Sequence, residues 1–154
     1  MPAADRSRTS YKPRRPGVWK IRSIASSPKA WTWSSRPVAK PAGPYLCLMP
    51  GSTWPSKAWP QDHFRTLART ARGQGLEVVV LGVPEEAETC RFVAQDGALD
   101  LCGRTSLRQA AAWLRGARAA VGNDSGLSHL AAACSTPTLA LYGATDPGGS
   151  TPWG

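Results

Sequence analysis

The stretch AAVGNDSGLSHLAAACSTPTLALYGATDP, Ala119 to Pro147, runs from an apolar segment into a polar knot, then through a helix-like run into a second apolar segment. RAAVG reads as a strand. In GLSHLAAAC, Leu127, Leu130, Ala131 and Cys134 recur at helical spacing and mark one face of a helix, and TPTLALYG reads as another strand. The polar knot GNDSG therefore sits where a strand stops and a helix starts. A helix N-terminus exposes unpaired N–H groups and a partial positive charge, so a Gly/Ser-rich entry suits a phosphate or a sugar hydroxyl.

The same alternation extends upstream. PYLCLMPG reads as a buried strand ending at Pro50-Gly51, and DHFRTLARTAR places Phe64, Leu67, Ala68 and Ala71 on one helical face behind Asp62 as N-cap. LEVVVLG is a β-branched strand, and PEEAETCRFVA opens with proline and acids, as first helical turns favour. SLRQAAAWLRGA carries a capping box, Ser106 with Gln109, and aligns Leu107, Ala110, Ala111 and Leu114. Strand, helix, strand, helix predicts an α/β fold: a Rossmann-like parallel sheet with helices on both faces. Such sheets bind ligands at the carboxyl ends of their strands, where PGSTWPSK, GVPEE, GNDSG and GATDPGG fall.

The net charge of +9 suggests a nucleic-acid binder until it is divided along the chain. Residues 1–40 hold ten Lys/Arg and one acid, and residues 41–154 hold nine of each. The expected organisation is a disordered, basic, Pro/Ser/Arg-rich leader over residues 1–41 and a Rossmann-like nucleotide-sugar-binding domain over 42–154. The leader could serve as a polybasic arm, with Tyr11, Trp19, Trp31 and Trp33 for stacking, or be plain linker; its residues follow no spacing that a groove would demand, and no nucleic-acid partner is expected. Cys47, Cys90, Cys102 and Cys134 form no C-x-x-C pair and read as reduced, buried thiols. With no apolar run of spanning length and no signal-like start, a soluble, cytoplasmic protein is expected.

From about Pro44 to Gly154 the chain resembles the carboxyl-terminal, donor-binding half of the bacterial lipopolysaccharide heptosyltransferases, glycosyltransferase family 9. PGSTWPSKAWP, GVPEE, VGNDSGLSHLAAACSTPTLALYGATDP and the closing PWG carry the resemblance. It implies the second, here incomplete, domain of a GT-B glycosyltransferase, and an ADP-heptose donor. On the matching positions it implies that Ser52 and Thr53 approach the diphosphate, that Lys57 holds it, and that Glu86 bonds the ribose hydroxyls. It also places the backbone of Thr105 toward the base, and Asp124, Ser125, Gly126 and His129 toward phosphate and sugar. Plainer roles stay open beside these: Ser52 and Thr53 as turn formers, Lys57 as a solvated lysine, Glu85 and Glu86 as first-turn acids, His129 as a structural histidine, and the Ala144–Pro147 turn as pocket rim.

The implied reaction is inverting transfer of a heptosyl group to lipid A–Kdo or a growing inner core, without cofactor or metal. The resemblance assigns the general base to an amino-terminal domain that these residues do not include, so no catalytic residue is expected among them. The chain by itself is expected to be inactive in transfer. Contact with the inner face of the plasma membrane is a further expectation. The alternatives are a catalytically inactive nucleotide-binding module and a basic-arm nucleic-acid binder.

Overall fold

A computed structural model describes residues 20–24, 40–143 and 146–150. Its sheet contains β1 (Lys20–Ile24), β2 (Tyr45–Met49), β3 (Glu77–Val80), β4 (Leu99–Asp100), β5 (Ala119–Asn123) and β6 (Thr138–Tyr142), in the order β1-β6-β5-β2-β3-β4. The helices are α1 (Gln61–Gly73), α2 (Ala87–Ala94), α3 (Leu107–Gly116), α4 (Gly126–Ala133) and the short α5 (Pro147–Ser150). Strands β2 to β6 are mutually parallel, as the alternating pattern predicts.

Strand β2 is buried along its whole length, and its alternation divides the core into two. Leu46 and Leu48, with Val78 and Val80 of β3, face Phe64, Ala68 and Ala71 of α1 and Cys90 and Val93 of α2. Tyr45, Cys47 and Met49, with Val79 and Leu81, face Trp113 and Leu114 of α3 and Ala131 of α4. Both faces of a parallel sheet must be covered, and these apolar runs are what that burial requires. On the second face Tyr45 Oη donates to the Trp113 carbonyl at 2.7 Å and Thr136 Oγ1 to that of Leu114 at 2.8 Å. Both carbonyls lie in the last turn of α3, and that of Leu114 also accepts from the Ala117 N–H at 3.0 Å. Burial pushes the Tyr45 hydroxyl up to about 12, so it remains a donor at neutral pH.

The helix ends agree with expectation in one case and differ in another. Ser106 Oγ accepts from the Gln109 N–H while the Gln109 side chain accepts from the Ser106 N–H, which is the expected capping box. Asp62 is a first-turn acid rather than the N-cap; Pro60 holds that position and its carbonyl accepts from His63 and Phe64. Leu107 was expected on the buried face of α3, but as the first residue of the helix it is exposed.

The expectation of a disordered leader over residues 1–41 does not hold at residues 20–24. They form β1, antiparallel to β6, with Lys20 opposite Tyr142 and Ile24 opposite Thr138. The physical reason is that the outer edge of β6 offers unpaired main-chain groups, which any extended segment can meet. An edge strand tolerates charges such as Lys20 and Arg22, so no hydrophobic alternation announces it. Tyr11, Trp19, Trp31, Trp33 and the Ala144-Thr145 part of the turn lie outside the described residues.

Two outcomes follow from this packing. Phe64 is fully buried, and Phe64→Ala should lower the unfolding free energy by about 3–5 kcal/mol in urea titration. Alternate amides of Lys20–Ile24 should exchange slowly, because every second N–H of an antiparallel edge strand points at its neighbour. Uniformly fast exchange there would contradict the pairing.

Candidate functional site

The strand order turns back on itself at one point. From β2 the chain moves outward through β3 to β4; it then returns through α3 to β5 on the other side of β2. The segments leaving β2 and β5 therefore diverge, and α1 and α4 lie on opposite faces. A crevice opens between them, as expected where strand order reverses. It has a volume of about 460 Å³, within the range of small-molecule sites.

Seven of the nine residues expected at a donor site line this cleft: Ser52, Thr53, Lys57, Glu86, Asp124, Ser125 and Gly126. Thr105 and His129 do not. Thr105 precedes the N-cap of α3 and is half-buried, and His129 is exposed on α4. Glu85 is exposed outside the cleft, so of the two neighbouring acids only Glu86 belongs to it.

The segment after β2 turns through Ser52, whose hydroxyl bonds the main chain of Trp54 on both its sides. A single 3₁₀ turn, Pro55–Lys57, then brings Lys57 over the cleft. Its ammonium lies 3.3 Å from Asp124 Oδ2, a carboxylate with only 6% of its side chain exposed. Asp124 follows the last residue of β5, and its N–H donates to the Leu141 carbonyl at 3.0 Å. The ion pair thus ties the two diverging segments together.

Ser125 is the N-cap of α4 but makes no side-chain cap bond. Its carbonyl accepts from the N–H groups of Ser128 and His129. The N–H groups of Gly126 and Leu127 bond to nothing among the described residues, and both residues line the cleft. A Cβ at Gly126 would meet no atom within 4 Å. No packing among the described residues requires glycine there, and its effect is to leave the helix entry open.

Glu86 reaches the cleft from the turn before α2. Its Oε2 accepts from the Val83 N–H at 3.0 Å, and Cys102 Sγ donates to the Val83 carbonyl at 3.0 Å from beneath. The Glu86 carboxylate lies directly against Gly51, where any Cβ would overlap it. Burial pushes both the Cys90 and Cys102 thiols up, and all four cysteines are free, so these sulfurs serve as a neutral prop under the turn.

Three features of the site lay outside the sequence reading. The first is an apolar rim. Among the described residues the exposed large apolar side chains are Trp54, Val83, Leu99 and Leu107, and all except Leu99 line the cleft. The second is Gly51, required by the seat of Glu86. The third is Asn123, fully buried at the end of β5, which bonds Trp59, Pro50 and Gly51. The only available signal for these was the position of Trp54 and Gly51 inside PGSTWPSK and of Asn123 inside GNDSG.

The arrangement offers an ammonium and open helix-terminal N–H groups to an anion, a carboxylate to a diol, and apolar surface to a flat ring. Among the described residues no three His, Cys, Asp or Glu side chains gather as a metal site would need.

The glycosyltransferase family 9 (heptosyltransferase) model matches residues 23–154. This chain belongs to that family. The match begins at residue 23, within the segment expected to be a disordered leader and before the start at Pro44 that the motifs suggested. The lipopolysaccharide heptosyltransferase 1 of Pseudomonas aeruginosa is 40% identical over 112 residues, covering 71% of this chain and 32% of that protein. The solved E. coli ADP-heptose lps heptosyltransferase II superposes with a TM-score of 0.68 at 34% identity, over 71% of this chain and 35% of that one. The E. coli heptosyltransferase WaaC with ADP gives a TM-score of 0.66 at 34% identity, over 73% and 36%. The chain thus spans about a third of the length of these relatives. The family's fold is GT-B-like, and this chain carries one of its parallel α/β sheets.

Gly51→Ala should drive the Glu86 carboxylate off its seat and leave the Val83 N–H without its acceptor. Exchange at the Val83 amide should accelerate by about tenfold or more while global stability changes little. An unchanged Val83 amide would mean that Glu86 is held elsewhere.

Proposed function

We propose that this chain binds ADP-heptose in the cleft and serves as the donor half of a heptosyltransferase acting on lipid A–Kdo or a growing lipopolysaccharide inner core. One observation carries the reading: Lys57, the open entry of α4 and Glu86 converge on the crevice where the strand order reverses. The family membership supplies the sugar nucleotide.

In this reading the diphosphate lies across the entry of α4. The N–H groups of Gly126 and Leu127 and the hydroxyls of Ser125 and Thr53 donate to its oxygens, and Lys57 neutralises charge from the opposite wall. Ser52 shapes the turn that presents Thr53. Glu86 accepts from the ribose diol, and the apolar rim of Trp54, Val83 and Leu107 covers the base, with the Thr105 backbone toward it. Asp124 accepts from sugar hydroxyls close to the reacting carbon, and His129 reaches the same ligand by a change of side-chain rotamer.

Transfer requires an acceptor hydroxyl to attack the anomeric carbon from the face opposite the diphosphate. The bond from that carbon to the phosphate oxygen breaks, and its electron pair leaves on the nucleotide. Lys57 and the helix entry are placed to stabilise that developing charge, which is where electrostatic help counts most. The proton of the acceptor hydroxyl goes to a general base on a second Rossmann-like domain facing this cleft. No cofactor or metal enters this scheme. Among the described residues no helix is long and apolar enough to cross a membrane; cytoplasmic location, with peripheral contact at the inner membrane face, is part of the proposal.

Calorimetry with ADP and with inorganic diphosphate separates the roles. Lys57→Ala should weaken both ligands by about tenfold or more, the scale of a lost charged hydrogen bond. Glu86→Ala should weaken ADP to a similar degree and leave inorganic diphosphate unchanged. Equal effects of Glu86→Ala on both ligands would remove it from the ribose, and wild-type protein that ignores ADP would defeat the proposal as a whole.

A further inference from the structure

We propose that Asn123 is a positioning residue for the phosphate-facing loop, and that only an uncharged amide can hold that loop in place. The inference rests on the nucleotide reading of the cleft for its functional consequence, but not for its geometry. Asn123 is the last residue of β5 and is fully buried. Its Oδ1 accepts from the Trp59 N–H at 2.9 Å, and its Nδ2 donates to the carbonyls of Pro50 at 2.8 Å and Gly51 at 3.2 Å. Its own carbonyl accepts from the buried hydroxyl of Ser128 at 2.6 Å, which fixes it to α4.

These bonds grip the loop at both ends. Residues 51–58 between them carry Ser52, Thr53 and Lys57, and the remaining main-chain bonds of that segment are local turns, such as Lys57 to Trp54 and Ala58 to Pro55. Among the described residues, every hydrogen bond from the main chain of residues 50–59 to another element ends on the Asn123 side chain. One buried amide therefore sets the height of Lys57 above Asp124 and of the loop N–H groups above the cleft.

The amide is used on both sides, as acceptor and as double donor, and this makes a sharp substitution available. Aspartate has the same shape. Ionised, it still accepts from Trp59 but turns a second oxygen toward two carbonyl oxygens in a buried site, where neither charge nor acceptors are compensated. Protonated, it regains one donor. Asn123→Asp should therefore hold the loop at acid pH and release it at alkaline pH.

The ionisable groups around this position are Asp124 beside it, Lys57 paired with Asp124, Glu86 against Gly51, His63 of α1 with its ring tilted against Trp59, and His129 of α4. Strands β2 and β6 place Met49 and Leu141 there and add no charge. Because these groups are present in the wild-type protein as well, the quantity to read is the ratio of variant to wild type at each pH.

The experiment uses the full chain in two arms, at about pH 8 and about pH 5.5, on either side of a buried carboxyl's titration. Without ligand, amide exchange at Trp54, Lys57, Ala58 and Trp59 reports the loop. In Asn123→Asp the amides of Trp54, Lys57 and Ala58 should exchange faster than wild type at the higher pH and return toward it at the lower, while that of Trp59 stays protected. With ADP as the probe, Asn123→Asp should bind about tenfold or more weaker than wild type at the higher pH and recover most of that at the lower. Asn123→Ala, which removes the bonds without adding a charge, should lose Trp59 protection and ADP affinity at both pH values; it decides the matter if the aspartate variant does not fold at the higher pH.

Loop exchange and ADP affinity equal to wild type in folded Asn123→Asp at the higher pH, or a deficit with no pH dependence, would overturn the inference. Expected loop behaviour in a wild-type protein that does not bind ADP would instead overturn the nucleotide reading and leave the positioning role standing.

Discussion

The parallel pairing of β5 with β2, from Leu46 opposite Ala119 to Met49 opposite Gly122, is the contact from which the rest of the architecture takes its shape. It joins two strands whose following segments must part, since α1 belongs to one face of the sheet and α4 to the other. The strands align in register, so their carboxyl ends stop at the same height and the two departing loops face each other across a gap. Among the described residues no backbone fills that gap, because each loop is drawn to its own face by a buried core: Phe64 and Ala68 on one side, Ala131 and Trp113 on the other. The cleft is thus a consequence of topology before it is a consequence of any polar residue.

Polar residues then bridge what the topology separates. Lys57 and Asp124 meet across the gap from segments 67 residues apart in sequence, and Asn123 meets Trp59 and Pro50 from 64 and 73 residues away. Glu86 comes from the third segment and seats itself on Gly51 of the first. A side chain at Gly51 would have to displace that carboxylate. A methyl group there would compete with the one carboxylate that faces the cleft from that side.

Much of this was legible in the sequence, and the failures have physical causes. Strands β2, β3, β5 and β6 were readable because burial on both faces leaves continuous apolar runs, and the capping box at Ser106 because its partners are three residues apart. Strand β1 was not readable. Its pairing with β6 is carried by main chain, which has no sequence signature. Strand β4 has two residues, too few for a period to show. Leu107 fitted the buried face by spacing, but spacing cannot tell the first residue of a helix, with open space before it, from one in the middle. Seven of the nine residues that the motifs suggested line the cleft; Asn123 was quoted within the same motif and overlooked, because a buried amide acquires its meaning only from partners that the fold brings to it.

The ion pair at the centre of the cleft bears on how an anion could be received there. Asp124 is nearly buried and Lys57 about one-third exposed, so the carboxylate lies inward and the ammonium toward solvent. A buried carboxylate without a partner is costly, which gives Lys57 a fixed position before any ligand arrives. An ammonium has three donors, and one bond to Asp124 leaves two for the oxygens of a diphosphate. An incoming anion then need not order a free lysine, and ordering a long side chain is a substantial part of what binding costs. The same carboxylate limits the gain, since it stands close to where the anion's charge would lie. The open N–H groups of Gly126 and Leu127 offset that repulsion from the helix side, carrying positive potential without a counter-ion of their own. Lysine and helix entry thus depend on each other: the first is pre-positioned by an acid that the second must outweigh.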